Sequence, residues 1–326
     1  MRVDVTSLGD FHRLAVPAYA ELIHQPGPGR PRLEILLAPG DYVGSGLTLG
    51  GPTSGQPIDV SVRGADPNRP PVLTDVALSL FGREVRLEHL VFESTGRDLP
   101  MLHGDVRASI EISRCAFICN QTRAVVGGRL LELVAADPEL PATATIRGSW
   151  FIGNRAPERS SLIGFNTVPP RTFGRVTFDE VAFLDNLADC SVVPGLTEAV
   201  VFARCVVHQR TTAATPSPLF VAVNATHTRV DFSDSVVVGY RPETLVSRRS
   251  ATTGTFQPVV VRDSQVLFET PPLSNLPGYA IERSTIGSAG SIHPATRSLD
   301  EWIEAARRGI APDRAALRAG LGLPVA

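Results

Sequence analysis

The sequence predicts an all-β chain wound as a β-solenoid, and three observations carry that expectation. An eight-residue phrase (apolar, any, apolar, any, any, small or apolar, any, apolar) recurs at Val85–Phe92, Ile110–Phe117, Ala144–Phe151, Val176–Phe183, Val200–Val207, Val230–Val237, Val259–Val266 and Tyr279–Ile286. Its third positions, Leu87, Ile112, Ile146, Phe178, Phe202, Phe232, Val261 and Ile281, are spaced by 25, 34, 32, 24, 30, 29 and 20 residues. A fixed pattern with elastic spacing suits rungs that must stack while their loops vary. A second short apolar run follows most phrases: Met101-Leu102, Val125-Val126, Leu162-Ile163, Val192-Val193, Leu219–Val223 and Leu245-Val246. Two or three short strands per repeat argue against a strand-plus-helix repeat.

The elements follow in order. Phe11 to Gln25 reads as a short helix, with Leu14, Ala15, Tyr19, Leu22 and Ile23 on one side and a kink expected at Pro17. Pro26–Pro31 is a turn-rich break. Strands follow at Leu33–Leu37, around Leu47–Leu49 and at Val60–Arg63, with turns at Ala38–Tyr42 and Gly64–Pro71. From Val72 to Ile286 short strands alternate with polar loops bearing Pro or Gly. Asn120, Asn154 and Asn186 share one phrase position, where Asn accepts left-handed geometry and bonds its neighbours, so they are read as a structural corner. Ser298-Leu-Asp-Glu301 is a capping box opening the helix Leu299–Arg308, and Pro312 starts a second helix ended by Gly320. The expected division is 1–32 for an N-terminal capping helix and lead-in, 33–290 for the solenoid and 291–326 for a C-terminal helical cap. Oligomerisation through the C-terminal helix is the alternative use of that segment.

Bulk properties bound the function. Apolar residues make up 43% of the 326 and the net charge is −2 with mixed signs, so no footprint for nucleic acid or an anionic membrane is expected. No stretch approaches the roughly 18–20 apolar residues that span a bilayer. All 31 basic residues are Arg, which excludes Schiff-base and lysine-base chemistry and leaves Arg or His as cationic catalysts. The start Met1–Asp10 has no charged-then-apolar leader pattern, and Cys115, Cys119, Cys190 and Cys205 lack zinc-like spacing. Free thiols in a reducing compartment, hence a cytoplasmic location, are expected, with secretion the alternative if a leader has been removed.

The stretch Leu37-Ala-Pro-Gly-Asp-Tyr42, then Leu47-Thr-Leu49, Val60-Ser-Val-Arg-Gly-Ala-Asp66 and Arg69-Pro-Pro-Val-Leu73, resembles the opening rungs of right-handed parallel β-helix proteins of the pectate-lyase-like superfamily. Later phrases such as Ala144–Asn154 look like its strand-and-turn repeats. The resemblance covers roughly Leu33 to Gly290 and implies a right-handed parallel β-helix with short helical caps at both termini. It also implies that the second apolar run builds the sheet whose outer face forms a saccharide groove. The scaffold hosts lyases, hydrolases, epimerases and non-catalytic modules, so it is specific for fold and weak for function.

Chemistry is therefore sought on or just after those second runs. His103, Asp105, Arg107, Asn166, Asn224, His227, Arg248 and Arg249 form a polar stripe if the rungs stack in register. A uronate lyase needs a cation beside the carboxylate, a base near the C5 proton and a donor for the leaving oxygen. Arg248 or Arg249 could neutralise and His103 or His227 could act as base or acid. Asp105, Arg107, Asn166 and Asn224 would bind or orient the saccharide. The competing account is that these are solvated residues at loop junctions. Glu180, Asp234 and Asp263 share the position two after the anchor with Arg114, Arg204 and Arg283. Turn-forming residues in a charge ladder are the plain reading there, and a carboxylate pair or a Ca²⁺ site the sharper one. No phosphate-binding loop, Gly-x-Ser-x-Gly elbow or metal-spaced histidines occur, so a nucleotide or metalloprotease role has no support, and no cofactor is expected beyond that Ca²⁺ option. The readings are a lyase- or epimerase-type enzyme on an acidic saccharide, a non-catalytic module binding glycan or protein, and a cytoplasmic enzyme acting on a small molecule. Walls for a cleft are expected from Gly127–Pro141, Ala156–Arg175 and Arg248–Pro258.

Overall fold

The computed structural model describes residues 1–24, 30–44, 46–50, 58–94, 100–121, 129–137, 139–155, 160–166, 171–209, 219–248, 255–269, 276–289 and 297–322. Within them the chain is mostly β-strand with few helices, one sheet having 17 strands and another 10, and the pairings are parallel between successive repeats. The phrase explains why. Its first half forms one column of strands, running from Arg32–Leu37 through Ala142–Arg147 and Phe173–Asp179 to Tyr279–Glu282. Its second half forms the 10-stranded sheet, from Asp41–Val43 through Trp150–Ile152 to Thr285–Ser288. The second apolar runs form a third column, including Arg129–Ala135, Ser161–Asn166, Cys190–Val193 and Leu219–Val223. The strands Leu78–Glu88 and Leu102–Ser113 run through the third and first columns, which joins them into one sheet. This parallel stacking is what a solenoid requires.

The anchors stack in one register: Leu87, Ile112, Ile146, Phe178, Phe202, Phe232, Val261 and Ile281. The column continues backwards through Val62 and Ile35 to Val3. Phe92, Phe117, Phe151 and Phe183 stack with centroids 4.8–4.9 Å apart, the spacing that paired strands impose. Between the two halves of the phrase the bend residue is left-handed at His89, Arg114, Gly148, Glu180, Arg204, Asp234, Asp263 and Arg283. The acid–base column is therefore a column of bends, laced by Arg204–Glu180 at 3.1 Å and Arg283–Asp263 at 2.6 Å. At the second bend Asn120, Asn154 and Asn186 are buried and form a ladder, each side-chain amide donating to the next Asn Oδ1 at 2.9 and 2.8 Å.

No disulfide joins the four cysteines; Cys115, Cys190 and Cys205 are buried and Cys119 is exposed. Burial pushes the Cys115 and Cys205 thiols up to about 12, so both act as small apolar core residues.

Both termini depart from expectation. Strand Arg2–Val5, absent from the sequence reading, pairs with Arg32–Leu37 ahead of the helix. The helical segment begins at Leu8 and is π-helical over Phe11–Ala15. Pro17 has no N–H and crowds the preceding turn, so the widened turn falls immediately before it. Phe11, Ala15, Ala18, Tyr19 and Leu22 join the main core. The C-terminal helices, Leu299–Arg307 and Arg314–Gly320, do not cap the last repeat. They lie along the outer side of the 10-stranded sheet, which is apolar on both sides at Ala116, Ile118, Ile152, Ala182, Leu184 and Val206. Trp302, Ile303, Ala306 and Leu317 bury against it. Arg307 reaches Glu93 at 2.7 Å and Arg318 reaches Gln265 at 3.0 Å, spreading the segment over many repeats. Ile281 in the last repeat is 41% exposed. Among the described residues no helix is long and apolar enough to cross a membrane.

Candidate functional site

Strand Leu102–Ser113 alternates, turning Leu102, Gly104 and Val106 inward and His103, Asp105 and Arg107 outward. Residues two apart on a strand are roughly 6.6 Å apart, so this row presents imidazole, carboxyl and guanidinium in line. Register places Ser79, His103, Glu132 and Gly164 side by side, and Phe81, Asp105, Val134 and Asn166 beside them.

Glu132 is the hub. It accepts from His103 Nδ1 at 3.2 Å, Asn166 Nδ2 at 3.1 Å and Arg129 Nη1 at 3.2 Å. The His103 bond, and then the Arg129 charge and the Asn166 bond, hold its carboxyl below the usual range against the opposing effect of burial. An ionised Glu132 can only accept, so His103 Nδ1 is the donor of that bond, and in the neutral imidazole Nε2 is the basic nitrogen. Gly164 provides bare backbone on which Arg129 lies, since a Cβ there would collide with the Arg129 side chain. Phe81 walls the imidazole, ring centroids 5.8 Å apart, and Tyr19 from the N-terminal helix donates to Phe81 O at 3.1 Å. Burial pushes the Asp105 carboxyl up, while His103, Arg171 and Arg107 nearby pull it down.

The shift in Asp105 has a measurable consequence. Its folded-state value lies above the unfolded one, so ionised Asp105 costs stability, and stability falls as pH rises through that interval. Asp105→Asn is expected to raise Tm at neutral pH. The gain should close below the ordinary Asp value of about 3.9. An unchanged Tm at neutral pH would show that Asp105 is solvated.

The structure thus brings His103, Asp105, Arg107 and Asn166 together. It does not bring the others. Asn224 and His227 are exposed after strand Leu219–Val223. Arg248 sits four repeats from Glu132 along the third column, about 19 Å at strand spacing. Its guanidinium donates to Gly278 O at 2.6 Å and Gln257 O at 3.3 Å and stands over Phe256. That makes it a clasp for the last repeats rather than a free cation. Arg249 lies outside the described residues, as do Val125-Val126 and parts of the three loops expected to wall a cleft.

Glu132, Arg129 and Arg171 escaped the sequence reading. The run assigned to that repeat was Val125-Val126, whereas the strand is Arg129–Ala135. The available signal was a lone acid at the outward position of Leu130-Leu-Glu-Leu-Val134. Among the described residues no group of three or more His, Cys, Asp or Glu is arranged to hold a metal ion. No protein-family model matches the chain and no curated protein matches it.

Proposed function

We propose that the chain is a right-handed parallel β-helix of the pectate-lyase-like kind and a lyase- or epimerase-type enzyme acting on a uronate-containing saccharide. The observation that carries the reading is the His103–Glu132 pair set beside Asp105 and Arg107 on one outward row. His103 Nε2 removes the C5 proton, and the electron pair forms the C4–C5 double bond as the C4–O bond breaks. Asp105, held protonated more readily by its burial, gives its proton to the leaving oxygen. Arg107 and Arg171 neutralise the substrate carboxylate, where charge grows in the transition state. An epimerase would return a proton to C5 from the opposite face. Cysteines that form no disulfide support a reducing, cytoplasmic setting, and hence a short acidic saccharide or conjugate in place of an extracellular polymer.

Purified protein is expected to generate unsaturated-uronate absorbance from short uronans. His103→Gln should lose roughly 10²–10⁴-fold in kcat, the usual contribution of a positioned base. Glu132→Gln should lose less and move the pH profile, while Arg248→Ala should keep its kcat. Saturable binding without product, unchanged in His103→Gln, would leave a binding module and sink the enzyme reading.

A further inference from the structure

Phenylalanine is the chief core residue of this chain, and one of its phenylalanines stands elsewhere. Twelve of the 14 are fully buried, and Phe256 packs on the core beneath the Arg248 guanidinium. Phe81 joins neither apolar cluster of the described residues and is only partly buried. It occupies an outward position of strand Leu78–Glu88, in register with Asp105 and next to the Ser79–His103 pair. We propose that Phe81 is a platform on which a second sugar ring stacks, so that the His103 site takes linked saccharides in preference to single uronates. The platform depends on the uronate reading for its ligand's chemistry and adds that ligand's length.

The strand that carries the ring is held from behind. Leu47 N donates to Ala77 O, and the alternation of a parallel ladder points the Phe81 carbonyl toward the same neighbour. Strand Leu47–Leu49 has ended by then, and the Tyr19 hydroxyl takes that carbonyl at 3.1 Å. Burial pushes the Tyr19 phenol up, so it remains a donor. Gly50 makes room for it, since a Cβ there would collide with the Tyr19 hydroxyl. Phe81 in turn meets the His103 imidazole with ring centroids 5.8 Å apart and planes tilted by 46°. A sugar ring beside His103 therefore has its neighbour within reach of Phe81. The face of an aromatic ring is negative and attracts the C–H bonds on one side of a pyranose. Asp105 and Arg107, outward on the adjoining strand, offer an acceptor and donors for its hydroxyls.

Calorimetric titration of His103→Gln, which should bind without turnover, compares galacturonate with digalacturonate. Digalacturonate should bind about fivefold tighter or more, the scale of one aromatic stacking contact. Combining it with Phe81→Leu keeps an apolar side chain but no aromatic face. That double variant should lose the preference and keep its galacturonate affinity, which also shows that it folds. Phe81→Trp should retain the preference, and its emission should change saturably with digalacturonate, because Trp150 and Trp302 are only 2 and 3% exposed. The platform is overturned if neither sugar binds, if digalacturonate is not preferred, or if Phe81→Leu retains the preference. Unsaturated product from the unmodified chain is scored separately. Product formed with an unmoved KM in Phe81→Leu sinks the platform alone. A digalacturonate preference that Phe81→Leu abolishes, without any product, sinks the enzyme reading alone.

Discussion

Asn154→Ala is expected to lower unfolding free energy by about 2–4 kcal/mol, read as a shift in the urea midpoint. Asn154 Oδ1 accepts from both the backbone N–H and the side-chain amide of Asn120, at 3.1 and 2.9 Å. Its own amide donates to Asn186 Oδ1 and to Phe117 O at 2.8 and 3.0 Å. Truncation leaves the Asn120 N–H buried without an acceptor, in a place water does not reach. Asn120 has a different position in the ladder. Its Oδ1 already lacks a partner, and the Asn154 oxygen would keep the Asn120 backbone donor after Asn120→Ala. That change should cost only about 1 kcal/mol, the net value of an ordinary hydrogen bond. Asn186→Ala should resemble Asn154→Ala, because Asn186 Oδ1 accepts from the Asn154 N–H at 3.1 Å. Equal losses at all three positions would show that the corner tolerates any small residue.

Trp302→Ala is expected to cost about 3–5 kcal/mol, the range for removing a buried Trp. Trp302 is 3% exposed and pins the C-terminal helices to the sheet. Its ring lies 6.1 Å from Trp150 and 5.0 Å under Arg297, and a Cβ on Gly320 would come within 2.5 Å of Cζ2. The loss should be local first, because helices docked on an outer face open at lower cost than strands paired on both sides. Hydrogen exchange should therefore show residues 299–320 losing protection while the anchor strands keep theirs. Trp302→Phe retains most of the packing and removes an Nε1–H that is buried without an acceptor, so it should change stability by less than about 1 kcal/mol. Uniform loss of protection across the chain in Trp302→Ala would show that the helices and the stack unfold as one unit.

The repeat was legible because its signals are local. The anchors had to be inward, the bend residues left-handed and the Asn positions able to bond their equivalents, and each requirement leaves a fixed offset within eight residues. The candidate row was legible in part for the same reason. His103, Asp105 and Arg107 alternate along one strand, so their common side follows from period two. Their partner was not. Glu132 comes 29 residues after His103, and the intervening loop conceals how many residues bring the next strand into register. Arg248 illustrates the converse: it has the right offset after an apolar run, yet it is tied to two backbone carbonyls near the end of the stack.

The sequence alone thus determined the stacking core, its bends and the side of the strand on which polar residues stand. These rest on the alternation of a strand and on repetition of one short phrase. Tertiary structure decided which acid holds His103 and where the C-terminal helices dock. Their amphipathic pattern showed only that they must bury one side. The nearest large apolar surface was the outer side of the 10-stranded sheet, where Trp302 meets Trp150 across 152 positions of chain. Loop length and long-range docking carry no periodic signal, so register and partner choice emerge only once the chain is folded.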